Sequence, residues 1–372
     1  MSVIDQEYMH RALALARRGE GQVAPNPPVG CVLVKDGVVI AEGWHRGPGH
    51  PHAEADALTK VGPNAVRGAT AYVTLEPCNH YGKTPPCAEA LVQAEVARVV
   101  FAVPDPNPIA AGGAERLAAA GITVQAGCCE AEGRALLRPW LLGLTRVTPY
   151  VYAKVAMTLD GRTATNNGDS KWITGAKARD KGHLLRQRTD AILVGVGTVL
   201  ADDPGLDPRP RERTPSQTLK VILDTHLRTP ATAKCFSSPG AVLIGTGADP
   251  DPARREALEQ VGAEILQLPS VNGKASLANL LSHLKKRDLT SVMIEGGGTL
   301  LGAAFDQNLI DEVWAFIAPA ILGGGRSAIA GVGPTKIADA FELQDVMTET
   351  LGSDLFIRGY IERKVAACSQ AL

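Results

Sequence analysis

Short apolar runs rich in β-branched residues alternate with helix-forming stretches along this chain, and the alternation starts twice. "GCVLV", "ATAYVTLE", "ARVVFAV" and "ITVQAG" read as strands, with "CAEALVQAEV" and "GAERLAAAG" as helices between the later ones. Strands separated by helices predict an α/β layer with a largely parallel region. Asp36-Gly37, inside "VGCVLVKDGVVIAEG", marks a hairpin because both residues accept positive φ. Asp5 is placed to cap a helix ending at Gly19, and another helix is expected from about Ala53. After "RPWLLGLTRVTP" the pattern restarts with "YVYAKVAMTLDGRTA". "AILVGV", "KVILDT", "AVLIGT", "SVMIEGG" and "EVWAFIAPAIL" supply further strands, and "DPRPRERTPSQ" reads as a surface loop. At about 100–200 residues per domain, the 372 residues divide into two α/β domains, 1–147 and 148–372.

Net charge is −1, so no global pull towards nucleic acid or an anionic membrane exists. Any anionic ligand must be held by local arginines, lysines or backbone amides. Seven cysteines spread along the chain do not form a disulfide framework. The N-terminal stretch lacks a signal peptide's apolar core, and no apolar run approaches the roughly 20 residues that span a bilayer. A cytoplasmic protein is expected, where clustered thiols stay reduced and bind metals.

His52 and Glu54 stand two residues apart in "HPHAEADAL", and Cys78 and Cys87 flank "NHYGKTPP". One imidazole and two thiolates suit a zinc ion and leave a fourth position where bound water turns acidic. Cys87 opens a helix after Pro85-Pro86, where the positive helix terminus favours a thiolate. Glu54 approaches from another angle and is the candidate acid–base, since residues two apart on a helix do not share a face. A structural zinc site would instead take a fourth ligand, which His45, His50 or His80 could supply. H-x-E followed by P-C…C is the signature of zinc-dependent base deaminases, and it favours catalysis. Eight residues separate the cysteines here, where the common deaminase pattern has two. The insertion brings in Lys83, a possible anion contact. Cys31, Cys128, Cys129, Cys235 and Cys368 lack such surroundings and read as packing or surface thiols.

"NPPVG", "GWHRGPGHPHAE" and "LEPCNHYGKTPPC" closely resemble the deaminase half of the RibD family, the bifunctional deaminase–reductases of riboflavin biosynthesis. "KVAMTLDGRTA", "SKWITG", "TVLADDPGL" and "IEGGGTLLGAAF" extend the resemblance through the second half, so it covers nearly the whole chain in order. It implies a cytidine-deaminase-like α/β/α domain followed by a dihydrofolate-reductase-like α/β domain. It also implies deamination of 2,5-diamino-6-ribosylamino-4(3H)-pyrimidinone 5′-phosphate, then NADPH-dependent reduction of the ribosyl group to ribityl. The carried-over zinc ligands are His52, Cys78 and Cys87, with Glu54 as acid–base and Asn26 as a base- or ribose-binding residue.

On its own, "IEGGGTLLGAAF" runs from strand to glycines to helix, a geometry suited to a phosphate at a helix N-terminus. It spells neither G-x-G-x-x-G nor a P-loop. The resemblance places Gly297, Gly298, Thr299, Leu300, Leu301, Gly302 and Ala303 along the NADP phosphates. Met157, Trp172, Thr198, Asp202 and Thr225 join them on the cofactor side. Ser170, Arg186, Leu206, Arg209 and Glu295 fall on the substrate side. Arg186 and Arg209 suit a ribose phosphate because guanidinium meets phosphate oxygens in a bidentate fork. Asp207 stands where the family more often has threonine or asparagine, beside Arg209. Lys154, Asp202 and Glu295 are the candidates for the group that polarises or protonates the sugar.

A nucleic-acid base deaminase with an accessory C-terminal domain shares the zinc motif but needs a basic face, which the charge does not provide. A zinc-stabilised binding protein would need a closed four-ligand site. The expected partner is a phosphorylated pyrimidine, with neither nucleic acid nor membrane, and the chain is expected to self-associate.

Overall fold

The structure, a computed structural model, describes residues 1–81, 85–208 and 218–363. The chain forms two compact units, Met1–Arg146 and Val147–Leu372. In the first, α1 (Val3–Ala16) precedes the hairpin β1 (Gly30–Lys35) and β2 (Val38–Trp44). There follow α2 (Ala53–Leu58), β3 (Thr70–Leu75), α3 (Cys87–Gln93), β4 (Arg98–Val103), α4 (Gly113–Ala119), β5 (Thr123–Ala126) and α5 (Glu130–Gly143). The sheet order is β2-β1-β3-β4-β5, antiparallel as far as β3 and parallel beyond it.

Period-two alternation gives this sheet two covered faces. Val32, Val34, Tyr72 and Val100 point to one face and pack on Met9 and Leu13 of α1 and Leu136 and Leu137 of α5. Cys31, Leu33, Val73 and Val99 point to the other, against Ala53 and Ala57 of α2, Leu91 of α3 and Leu117 of α4. Burial on both faces explains why β1 and β4 read as continuous apolar runs.

The first helix departs from expectation at both ends. Its N-cap is Ser2, whose hydroxyl accepts from Asp5 N at 3.1 Å, while the Asp5 carboxylate accepts from Ser2 N at 3.1 Å. Asp5 is thus the capping-box partner rather than the cap. The α-helix ends at Ala16, and a 3₁₀ turn carries the chain on to Gly19. Buried Asp5 also accepts from Arg98 Nη1 at 2.7 Å and from Tyr72 Oη at 2.8 Å. Arg98 holds its carboxyl well below the usual carboxylate range. A carboxylate depressed on folding stabilises the protein above its unfolded pKa, near 3.9, and loses that contribution as pH falls through the folded value. Asp5→Asn is therefore expected to cost about 2 kcal/mol at neutral pH. It should also remove part of the stability loss of wild type below about pH 4; urea unfolding at several pH values measures both.

The second unit contains β6 (Tyr150–Thr158), α6 (Ala176–Arg186), β7 (Ala191–Gly195), α7 (Val196–Asp202), β8 (Leu219–Leu223) and β9 (Val242–Thr246). After these come α8 (Pro252–Gln260), β10 (Ala263–Gln267), α9 (Leu277–Lys286), β11 (Ser291–Glu295), α10 (Gly298–Asp306), β12 (Glu312–Ala318), β13 (Gln344–Leu351) and β14 (Asp354–Tyr360). The nine strands run in the order β10-β9-β8-β7-β11-β6-β12-β14-β13. The seven from β10 to β12 are mutually parallel, and the terminal hairpin adds antiparallel to β12. Leu277, Leu280, Leu281 and Leu284 of α9 join Leu301 and Phe305 of α10 in the core against Val151, Leu193, Val221 and Ile294. Open parallel sheets bind ligands outside the carboxyl ends of their strands, where the strand order reverses. The central strands β7, β11 and β6 form such a place.

Candidate functional site

His52 is the N-cap of α2, with extended backbone at φ −65° and ψ 163°, and Glu54 lies in the first helical turn. Cys87 is the first residue of α3, after Pro86 at the N-cap. Cys78 sits three residues beyond the end of β3. Buried Glu76 fixes that loop by accepting from the backbone N–H groups of Asp105 at 3.2 Å and Ala114 at 2.9 Å. Sequence reading missed this role, although the acid directly before Pro77-Cys78 was the signal.

These elements bring the predicted trio together. His52 Nδ1 lies 3.6 Å from Cys78 Sγ and 3.3 Å from Cys87 Sγ. Zinc bonds of about 2.3 Å to sulfur and 2.0–2.1 Å to nitrogen, at the tetrahedral angle, separate such donors by about 3.6 Å. The donor set therefore fits zinc. Cys78 is pushed down to about 4, chiefly because the Cys87 thiol hydrogen-bonds to it, and Cys87 N adds a backbone contact at 3.4 Å. Cys87 is pushed up by the same partner and by burial. Glu54 is buried, and burial pushes its carboxyl up to about 7.

Asn26 does not join the trio directly. Its Nδ2 donates to His45 Nε2 at 3.0 Å, and buried His45 donates from Nδ1 to Pro51 O at 3.0 Å. The His45 ring stacks edge-on against His52, with centroids 5.5 Å apart. Lys83 lies outside the described residues. Close approach of β2 to α2 depends on Gly43, where a Cβ would lie 2.1 Å from Ala53 O and 2.5 Å from Ala57 N. Gly43→Ala is expected to push α2 outward, cost about 1–3 kcal/mol and weaken zinc retention. Metal content after dialysis and a thermal melt read out the two effects.

The second unit has a cleft of about 510 Å³ lined by Lys154, Ser170, Thr198, Asp202 and residues 296–300, with Arg326. Gly297 N donates to Thr198 Oγ1 at 3.0 Å, and α10 begins at Gly298 with its first amides facing this region. Glycine at 298 is required, because a Cβ there would lie 2.2 Å from Ser327 O. A helix N-terminus, a hydroxyl and the glycines Gly296, Gly297 and Gly298 in one cleft fit a phosphate-bearing cofactor such as NADPH. Arg326 was not singled out in the sequence, although an arginine directly after "GGG" could have been.

Behind the cleft, Glu295 pairs with Arg186 at 2.7 Å and stands in register with Lys154 on β6. Burial pushes Glu295 up, but Arg186 and Lys154 outweigh it, so the carboxyl stays below its ordinary value. Burial lowers Lys154, opposed by Glu295. Arg186 Nη1 also donates to the backbone oxygen of Asp207 at 3.1 Å. Leu206 is buried, with φ +55°, and Arg209 lies outside the described residues.

Several residues carried over to the cofactor side do not line this cleft. Leu301 points into the core, and Gly302 packs against the backbone of Ala330 and Gly331, because helical periodicity turns them from the cleft. Ala303 follows them along α10, outside the lining. Met157 packs on the core. Trp172 is exposed beneath the Arg179 guanidinium, 4.6 Å from its ring centroid. Thr225 Oγ1 accepts from Ala275 N at 3.1 Å, and the residue does not line the cleft. Asp202 lines it, with Lys171 Nζ 4.0 Å away.

Residues 2–103 match the cytidine and deoxycytidylate deaminase zinc-binding region, and residues 149–357 match the RibD C-terminal domain. The riboflavin biosynthesis protein RibD of Aquifex aeolicus is 41% identical over 358 residues, covering 95% of this chain and 98% of its own. The chain belongs to the RibD family. Members of this family are bifunctional deaminase–reductases of riboflavin biosynthesis, and both domains are present here. A solved structure of Acinetobacter baumannii RibD aligns at TM-score 0.82 and 42% identity, over 96% of this chain and 99% of that one. A Thermotoga maritima diaminohydroxyphosphoribosylaminopyrimidine deaminase/5-amino-6-(5-phosphoribosylamino)uracil reductase aligns at TM-score 0.84 and 34% identity, with the same coverage. The expected fold, a cytidine-deaminase-like domain followed by a reductase domain, agrees with these relatives. Among the described residues no helix is long and apolar enough to cross a membrane.

Proposed function

We propose that this chain deaminates 2,5-diamino-6-ribosylamino-4(3H)-pyrimidinone 5′-phosphate and then reduces the ribosyl group of the product to ribityl. The convergence of His52, Cys78 and Cys87, with buried Glu54 in the adjoining turn, carries the first half of this reading. Those three residues would hold zinc, which when bound acidifies a water at neutral pH. Glu54 takes a proton at its carboxylate and delivers it to the leaving amine nitrogen. Burial raises the Glu54 carboxyl, which favours its holding a proton between the two transfers. His45 holds the Asn26 amide, which orients the base or ribose.

In the second unit NADPH, when bound, supplies the hydride. Gly298 and Thr299 offer backbone donors to its phosphates, and Thr198 fixes the turn before them by accepting from the Gly297 amide. Lys154 lines the cleft and is our choice as proton donor, because Glu295 is already engaged by Arg186. Arg186 and Arg209 would bind the ribose phosphate, Arg186 giving up its Asp207 contact. The free thiols of the described residues support a cytoplasmic setting. The outward-facing edge strand β13 supports self-association, which light scattering tests.

Chelation separates the two reactions. The zinc-loaded chain is expected to release ammonia from the diamino substrate and oxidise one NADPH per ammonia. After chelation it should act only on the deaminated compound. NADPH oxidation on the diamino substrate by metal-free protein would overturn the order of steps.

A further inference from the structure

We propose that His10, Cys129 and Glu132 form a second zinc site, on the α1–α5 face of the first unit. His10 Nε2 lies 3.6 Å from Cys129 Sγ and 3.7 Å from Glu132 Oε1, and all three donor atoms lie within 4.8 Å of one another. The deaminase trio has the same spacing, 3.6 and 3.3 Å from its imidazole nitrogen to its sulfurs. A tetrahedral zinc ion requires donor separations of about 3.3–3.6 Å, which the exposed Glu132 carboxylate must turn inward to meet.

Local structure explains the convergence. Cys129 is the N-cap of α5, held at φ +53°, and Glu132 is the third helical residue. His10 projects from the outer side of α1, whose Met9 and Leu13 pack inward. The cluster lies on the sheet face covered by α1 and α5, whereas His52 and Cys87 belong to α2 and α3 on the other face. It is therefore not part of the deaminase site.

Donor chemistry selects the ion. Imidazole, thiolate and carboxylate are zinc ligands, while magnesium and calcium require oxygen donors. Three protein ligands leave the fourth position to water, because Glu132 and His10 are half-exposed. Bound there, zinc would tie the first helix of the chain to the last helix of its unit. Cys129, which reads as an ordinary surface thiol in the sequence, thereby acquires a partner set.

Metal counting on the full chain tests this. Wild type, saturated with zinc and freed of excess, is expected to hold two ions per chain, and Cys129→Ser and His10→Ala one each. Losing a direct ligand should weaken the second site roughly 100-fold or more, beyond what loss of an outer partner costs. In cobalt-substituted protein, thiolate-to-cobalt absorption should fall by about one third in Cys129→Ser, since one of three ligating thiolates is gone. One zinc per chain in saturated wild type would overturn the proposal, as would two ions retained in Cys129→Ser. His10 is exposed, so His10→Ala still decides the matter if the cysteine variant fails to fold.

Discussion

Glu54→Gln is expected to keep its zinc and lose about 10²–10⁴-fold in deamination rate. Glutamine matches the carboxylate in shape but can neither take nor return the proton. It also removes an ionisable group from a buried position, so stability should hold or rise slightly. Ammonia release from the diamino substrate is the direct readout. Reduction of the deaminated compound by the same variant should match wild type, because Glu54 belongs to the first unit and the reductase cleft to the second. Ammonia release within tenfold of wild type would remove Glu54 from the proton path.

Lys154→Met should lower the reductase kcat by about 10²-fold or more and leave deamination unchanged. Partly buried Lys154 opens onto the cleft and stands in register with Glu295. Burial holds its pKa below the ordinary lysine value. A lysine that donates a proton must be charged, so reduction should fall as pH rises through that lowered value. Lys154→Met should abolish this alkaline limb, whereas a merely structural lysine would leave it in place. Stopped-flow NADPH oxidation across pH separates the two cases, and an unchanged limb would remove Lys154 from the proton path.

What the sequence disclosed depended on range along the chain. His52, Glu54, Cys78 and Cys87 were legible because helix starts and prolines place them within short motifs, and β3 brings the motifs together. The alternation of strands and helices was legible for the same reason, since each strand is a local apolar run. Partners distant in the chain were not. Arg98 reaches Asp5 across 93 residues, so Asp5 looked like a cap when Ser2 fills that role. The glycine run puts Leu301 in a cofactor lining by sequence, but the helix beginning at Gly298 turns it into the core. The edge strand β13 offers no period-two signal, because nearly all of "QDVMTETL" is exposed.

The division at Arg146 has a consequence for supply rather than catalysis. Each unit closes its own core, yet one translated chain carries both. A cell making this protein therefore acquires the two activities in equal number, whatever the strength of the promoter. Balance between making the deaminated intermediate and consuming it can then be set only by the turnover rate of each site, so selection on flux must act through substitutions within one unit or the other.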